Sequence, residues 1–222
     1  MKYRLLSTLI YCAGAMGYGS AFATSCPSAP GTGFSLEDVT FRTYASDDCT
    51  PNLGNQVNLT GAGGALSVNS PVLFPGFGGN WGAELKDDIS VAGSASINYL
   101  GFTWTLAANA GTAGDWLLKL ENPLNTALPI SLDLMVLLKG ATSSNAYLFD
   151  NEVFSVVGNN PGTFSIKFLN NGGNIPTLSH MTVFMRPGTF DDTIPTIPEP
   201  GTLALLGLGV MGMGIRWRRI SA

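Results

Sequence analysis

His180 is the single histidine in a chain of 222 residues with fifteen acidic and eleven basic side chains. As a general base it would need a nucleophile beside it and a carboxylate to orient its ring. No G-x-S-x-G turn supplies the nucleophile. His180 lies in "LSHMTVF", a strand pattern that sets Thr182 on the same face. It reads as a structural histidine, hydrogen-bonded at a sheet edge. Glu84, Asp115, Glu121, Asp133, Asp150 and Glu152 offer carboxylates for glycosidase chemistry, which requires two of them facing across a cleft. Solvated surface charge is the favoured reading of each. Asp47-Asp48, Asp87-Asp88 and Asp191-Asp192 offer oxygen ligands for Ca²⁺, but none has the spacing of an EF-hand loop. Placement of aspartates in turns accounts for them as well.

Trp81, Trp104 and Trp116 have flat faces that stack on sugar rings when exposed. Trp104 and Trp116 fall on apolar strand faces and are expected inside. Trp81 follows "FPGFGGN" and is the candidate for glycan contact. No phosphate-cradling loop or dinucleotide fingerprint occurs. The residues therefore point to no catalytic set, no metal site and no cofactor, and the expectation is a protein that is not an enzyme.

The charges separate by position. Lys2, Arg4, Arg216, Arg218 and Arg219 hold five of the eleven basic charges at the two ends. Residues 24–197 carry six basic and fourteen acidic side chains, a net charge of −8. Nucleic acid is excluded as a partner of that acidic body, because phosphate binding needs clustered Lys and Arg.

The start, "MKYRLLSTLIYCAGAMGYGSAFATS", has a basic n-region, an apolar stretch and small residues, the form of a secretory signal peptide over residues 1–23. Ala21 and Ala23 flank Phe22 as an A-x-A site for signal peptidase, which predicts a mature chain beginning at Thr24. Cys26 and Cys49 remain after that cleavage. In an oxidising compartment they are expected to form a disulfide.

Near the other end stands "IPEPGTLALLGLGVMGMGIRWRRISA". Residues 202–217 are almost wholly apolar, and as a helix they would rise roughly 24 Å against a hydrocarbon core of ~30 Å. The basic tail of Arg216, Arg218 and Arg219 is expected to stay cytoplasmic, with the body outside. The prolines of Pro198-Glu199-Pro200 hold the backbone extended and block its pairing into a sheet. A processing enzyme can bind such a segment.

Triplet, apolar run and arginine-rich tail, in that order over residues 198–222, resemble the PEP-CTERM sorting signal of Gram-negative bacteria. Ile197 stands where that signal often has valine. The resemblance implies export, transient retention in the inner membrane by the C-terminal helix, and processing by an exosortase. It also implies cells that make exopolysaccharide, with the envelope or biofilm matrix as destination. The stretch from Ala146 to Phe184 also resembles a segment of other such substrates, and implies no activity.

The elements that must position these residues are strands. Phe164, Ile166 and Phe168 alternate with Ser165 and Lys167; Ile130, Leu132, Leu134 and Val136 alternate with Ser131 and Asp133. Trp116, Leu118 and Leu120 form a third apolar face, and Leu100, Phe102, Trp104 and Leu106 a fourth. Phe34 to Tyr44, Gln56 to Thr60, Trp81 to Lys86, Ala146 to Phe149, Val153 to Val157 and Leu178 to Arg186 are further candidates. "GNNPGT", "NNGGNIP" and "FPGFGGN" read as turns between them. The expected fold is all-β, an antiparallel, jelly-roll-like sandwich over residues 24–190, followed by a stalk over 191–197. The expected function is that of an exported surface or matrix protein with a structural or adhesive role. A secreted glycan-binding module is the alternative, and a secreted hydrolase the third reading.

Overall fold

The computed structural model describes Cys26 and residues 33–54, 57–69, 73–74, 80–89 and 94–189. Ala21, Ala23, Thr24, Asp191-Asp192, the stalk over 191–197 and the sorting segment over 198–222 lie outside the described residues.

The described chain is all-β, apart from two short 3-10 turns. Its strands are β1 (Val39–Phe41), β2 (Tyr44–Ala45), β3 (Asp48–Thr50), β4 (Val57–Asn58), β5 (Leu66–Ser67), β6 (Ala83–Asp88) and β7 (Ala95–Tyr99). The rest are β8 (Phe102–Ala108), β9 (Ala113–Glu121), β10 (Ile130–Gly140), β11 (Ser143–Phe154), β12 (Gly158–Ser165) and β13 (His180–Pro187). They form a six-stranded sheet, β2-β1-β12-β9-β8-β7, and a five-stranded sheet, β3-β11-β10-β13-β6. Pairing is antiparallel throughout both; only the two-residue strands β4 and β5 pair in parallel.

Both sheets line one core. Phe41, Phe102, Trp104, Leu106, Trp116, Leu118 and Leu120 enter it from the first sheet, and Leu85, Leu132, Leu134, Val136, Tyr147, Phe149, Val183 and Met185 from the second. Rings meet between the sheets: Phe41 lies 5.8 Å from Phe149, and Trp104 is edge-on to Phe154 at 5.0 Å. Such offset and edge contacts are the geometry aromatic pairs favour. Buried Asp87 adds a polar tie, accepting from the Ala108 amide of β8 at 2.9 Å. Cys26 and Cys49 are bonded, with Cα atoms 5.2 Å apart, so the segment carrying Cys26 is pinned to edge strand β3.

Several sequence expectations change. Leu100 does not continue the apolar face of Phe102, Trp104 and Leu106. It is 44% exposed, and with Gly101 it forms the two-residue turn between β7 and β8, both at positive φ. That is the turn whose twist suits a hairpin. "GNNPGT" is not a turn but most of β12, inside the six-stranded sheet. Pro161 fits there because its carbonyl accepts from Arg42 N at 2.8 Å, just past the end of β1. Its missing N–H faces that side, where regular pairing stops. Ala146 to Phe149 and Val153 to Val157 are not two strands; up to Phe154 they belong to β11, which is irregular at Asp150 and Asn151. Asn151, at positive φ, shifts the alternation by one so that Phe149 and Phe154 both face the core.

Trp116 on β9 explains why β12 needs glycine. Its indole crosses Gly162, its partner in register, and donates to the carbonyl of Thr40 on β1 at 3.0 Å. It also stacks on Phe41 at 5.4 Å. One side chain thus ties three strands. A methyl group at position 162 would collide with the Thr40 carbonyl and the indole together. Gly162→Ala is therefore expected to lose about 3 kcal/mol of stability, from overpacking against atoms that cannot yield. Trp116→Ala/Gly162→Ala should lose less than the sum of its two single changes, because the part of the collision that involves the ring is then gone and only the Thr40 carbonyl still meets the methyl. Urea unfolding of the three variants checks this; additive losses would contradict it.

Candidate functional site

The five-stranded sheet is apolar on both faces. Its inner face belongs to the common core; on its outer face Met135, Leu137, Ala146, Leu148 and Phe184 form a second cluster with Val68, Leu73, Phe74 and Trp81. β10 is accordingly buried on both sides from Ser131 to Leu138, not on one face as the alternation of Ile130, Leu132, Leu134 and Val136 suggested. The polar residues of the same outer face are displaced to the two ends of this cluster. Each end holds a polar cavity.

The first, of about 460 Å³, is lined by Asn80, Asp133, Asp150, Asn151, Arg186, Pro187 and Thr189. Asp133 and Arg186 are register partners on β10 and β13, and Arg186 Nε donates to Asp133 Oδ2 at 2.6 Å. Asp133 Oδ1 accepts from Asn151 N at 2.9 Å, so the irregularity of β11 is closed by this carboxylate. Asp47 accepts from Asp150 N at 2.7 Å. Burial, a hydrogen bond to Asp133 and the charges of Asp133 and Asp47 push the Asp150 carboxyl up to about 6, while Arg186 opposes the rise. Asp133 and Asp150 therefore act on each other within the opening they both line.

Trp81 lies beneath this cavity. It is 4% exposed, and the Arg186 guanidinium sits 5.0 Å from its ring centre. Its expected glycan-stacking face is thus taken up by packing and a cation–π contact. The reason is the second cluster, which the sequence did not announce.

The second cavity, of about 350 Å³, lies at the other end and is lined by Val57, Asn58, Ala65, Glu84, Lys86, Lys139, His180 and Thr182. His180 begins β13, an interior strand, paired to Lys139 of β10 on one side and Asp88 of β6 on the other. It is not at a sheet edge. Thr182 shares its cavity, as the two-residue spacing predicts. Burial and the charges of Lys86 and Lys139 push His180 down to about 4, against a smaller opposing effect of Asp88. Burial and Lys86 lower Lys139 as well.

The other candidate carboxylates disperse. Asp115 and Glu121 are exposed on β9, Glu121 paired with Lys119 at 2.7 Å. Glu152 meets Arg42 at 3.5 Å. Asp48 accepts from Cys49 N at 2.7 Å, at the start of β3. Among the described residues no group of three or more His, Cys, Asp or Glu is arranged to hold a metal ion. Lys86 and Lys139 were not foreseen as site residues. The period-two pattern of "AELKDD" puts Lys86 on the outer face, but only the register of three strands brings it towards Lys139.

Residues 196–219 match the model of the PEP-CTERM protein-sorting motif. The match covers Pro198, Glu199, Pro200, the apolar run and the arginines of the tail, so the chain carries a PEP-CTERM sorting segment following its β-rich body. Such a motif implies an exported protein directed to an exosortase and sorted to the cell surface. No curated protein and no solved structure matches the chain.

The two cavities make opposite contributions to stability against pH. Asp150 binds its proton more tightly in the folded chain than an ordinary carboxyl of pKa ~3.9, so its contribution is complete below about pH 3.9 and is lost as pH rises through about 6. His180 binds its proton less tightly than an ordinary imidazole, so its contribution is present above about pH 6.5 and is lost as pH falls through about 4. Asp150→Asn imitates the protonated acid and keeps a donor towards Asp133. It should melt above the native protein at about pH 7.5, with the difference closing near pH 4. Thermal unfolding at both values checks the sign; a variant less stable at the higher pH would contradict it.

Proposed function

We propose that this chain is an exported cell-surface or extracellular-matrix protein whose β-sandwich body has a structural or adhesive role. In this reading the segment over 202–217 holds it in the inner membrane for a time, and exosortase processing near Pro198-Glu199-Pro200 releases it. The observation that carries the reading is the PEP-CTERM match at residues 196–219, placed after a body whose last described strand ends at Pro187. The body has closed its core before the motif begins, so loss of the tail removes no strand described here. A non-catalytic role is supported by the engagement of the candidate carboxylates: Asp133 with Arg186 and Asn151, Glu152 with Arg42, Glu121 with Lys119.

Replacing Pro198, Glu199 and Pro200 with alanines in the native producer tests the sorting step. The altered protein is expected to stay in the inner-membrane fraction with its tail attached. Unchanged processing and release would remove the exosortase reading.

A further inference from the structure

The second cavity is an unusual place for positive charge. Residues 24–197 contain only six Lys and Arg side chains. Three of these face carboxylates directly: Arg42 with Glu152, Lys119 with Glu121, and Arg186 with Asp133. Lys86 and Lys139 flank β13, with the only histidine beside them, and all three line one opening. An exposed lysine on edge strand β6 is common protection against strand pairing. That does not account for Lys139. It is half-buried on the middle strand of the sheet, where its ammonium group is held 2.7 Å from the carbonyl of Ala141.

The rest of the lining is polar and differently charged. Glu84 sits next but one to Lys86 on β6, with Oε2 accepting from Leu59 N at 3.2 Å. Asp88 is across from His180. Asn58 Oδ1 accepts from Thr60 N and Gly61 N, so its amide is fixed at the rim. Cations and a carboxylate lining the same opening suit a ligand that carries both an anionic head and hydroxyl groups. Nitrogen donors match an anionic head, and Glu84 accepts from hydroxyl groups. The volume is at the small end of the ~300–1,000 Å³ found for ligand pockets, which suits a group the size of one sugar.

We propose that the cavity between β4, β6, β10 and β13 binds a hydroxy-carboxylate of sugar size, a uronate in free form or as one unit of a chain. Lys86 and Lys139 take the carboxylate, the His180 ring donates a third hydrogen bond to it, and Glu84 accepts from the hydroxyls. With two ammonium groups set against Glu84, the lining favours a monoanion over a phosphate dianion. The site stands on residues of the described body and is independent of how the tail is processed.

The lone histidine makes the test direct, because the His180 ring proton gives one resolved resonance. The full chain, purified in mild detergent, is titrated with galacturonate, galactose and inorganic phosphate at constant ionic strength near pH 6. Galacturonate is expected to move the His180 resonance saturably and to raise its pKa from about 4, since an anion beside the ring favours its charged form. Galactose should leave both unchanged. Lys86→Gln, at an exposed position that does not endanger folding, should weaken galacturonate binding about fivefold or more. Lys119→Gln, elsewhere on the surface, should not. A flat response to galacturonate, an equal response to galactose, a tighter response to phosphate, or equal losses in the two lysine variants would each overturn the proposal.

Discussion

Burying both faces of the five-stranded sheet is the constraint on which the rest of this structure depends. An antiparallel sheet ordinarily leaves one face to water, but here Met135, Leu137, Leu148 and Phe184 lie under Val68, Leu73, Phe74 and Trp81. A second apolar layer deprives the outer-face polar residues of water along the middle of the sheet. They survive only at its ends. There they lie half-desolvated beside one another, which is why Asp150 holds its proton and His180 resists one. The two cavities are consequences of one packing decision.

The same layer explains what was legible in the sequence and what was not. Alternation located β8, β9 and β10 because each carries an unbroken apolar face, such as Trp116, Leu118 and Leu120. It failed where backbone geometry overrides composition. Pro161 and Gly162 look like turn residues, yet Pro161 stands beside the end of β1 and Gly162 makes room for the Trp116 indole. Leu100 fits the alternation but turns the chain at positive φ. The break at Asp150 and Asn151 made one strand look like two, since the phase of the pattern changes there. Trp81 and the pairing of Lys86 with Lys139 needed strand register, and no local pattern reports register between β6, β13 and β10.

Body and tail follow separate physical logics. The body is acidic, closed by a Cys26–Cys49 bond and tied together by aromatic contacts between its sheets. A disulfide closing so short a loop stabilises a secreted domain by roughly 3 kcal/mol, outside the cell where no reductant removes it. The tail is an address, matched as a sorting motif over residues 196–219. Nothing in the pairing of the described strands draws on it. Removing that segment would take away none of the described strands.

The central claim is that the mature protein is the body without its tail. The intact mass of the protein recovered from outside the producing cells tests it most directly, read with and without reduction. The account predicts a chain beginning at Thr24 that ends near Pro198-Glu199-Pro200, lacks the arginines of the tail, and gains two hydrogens when Cys26 and Cys49 are reduced. A released protein whose mass runs through Ala222 would contradict it.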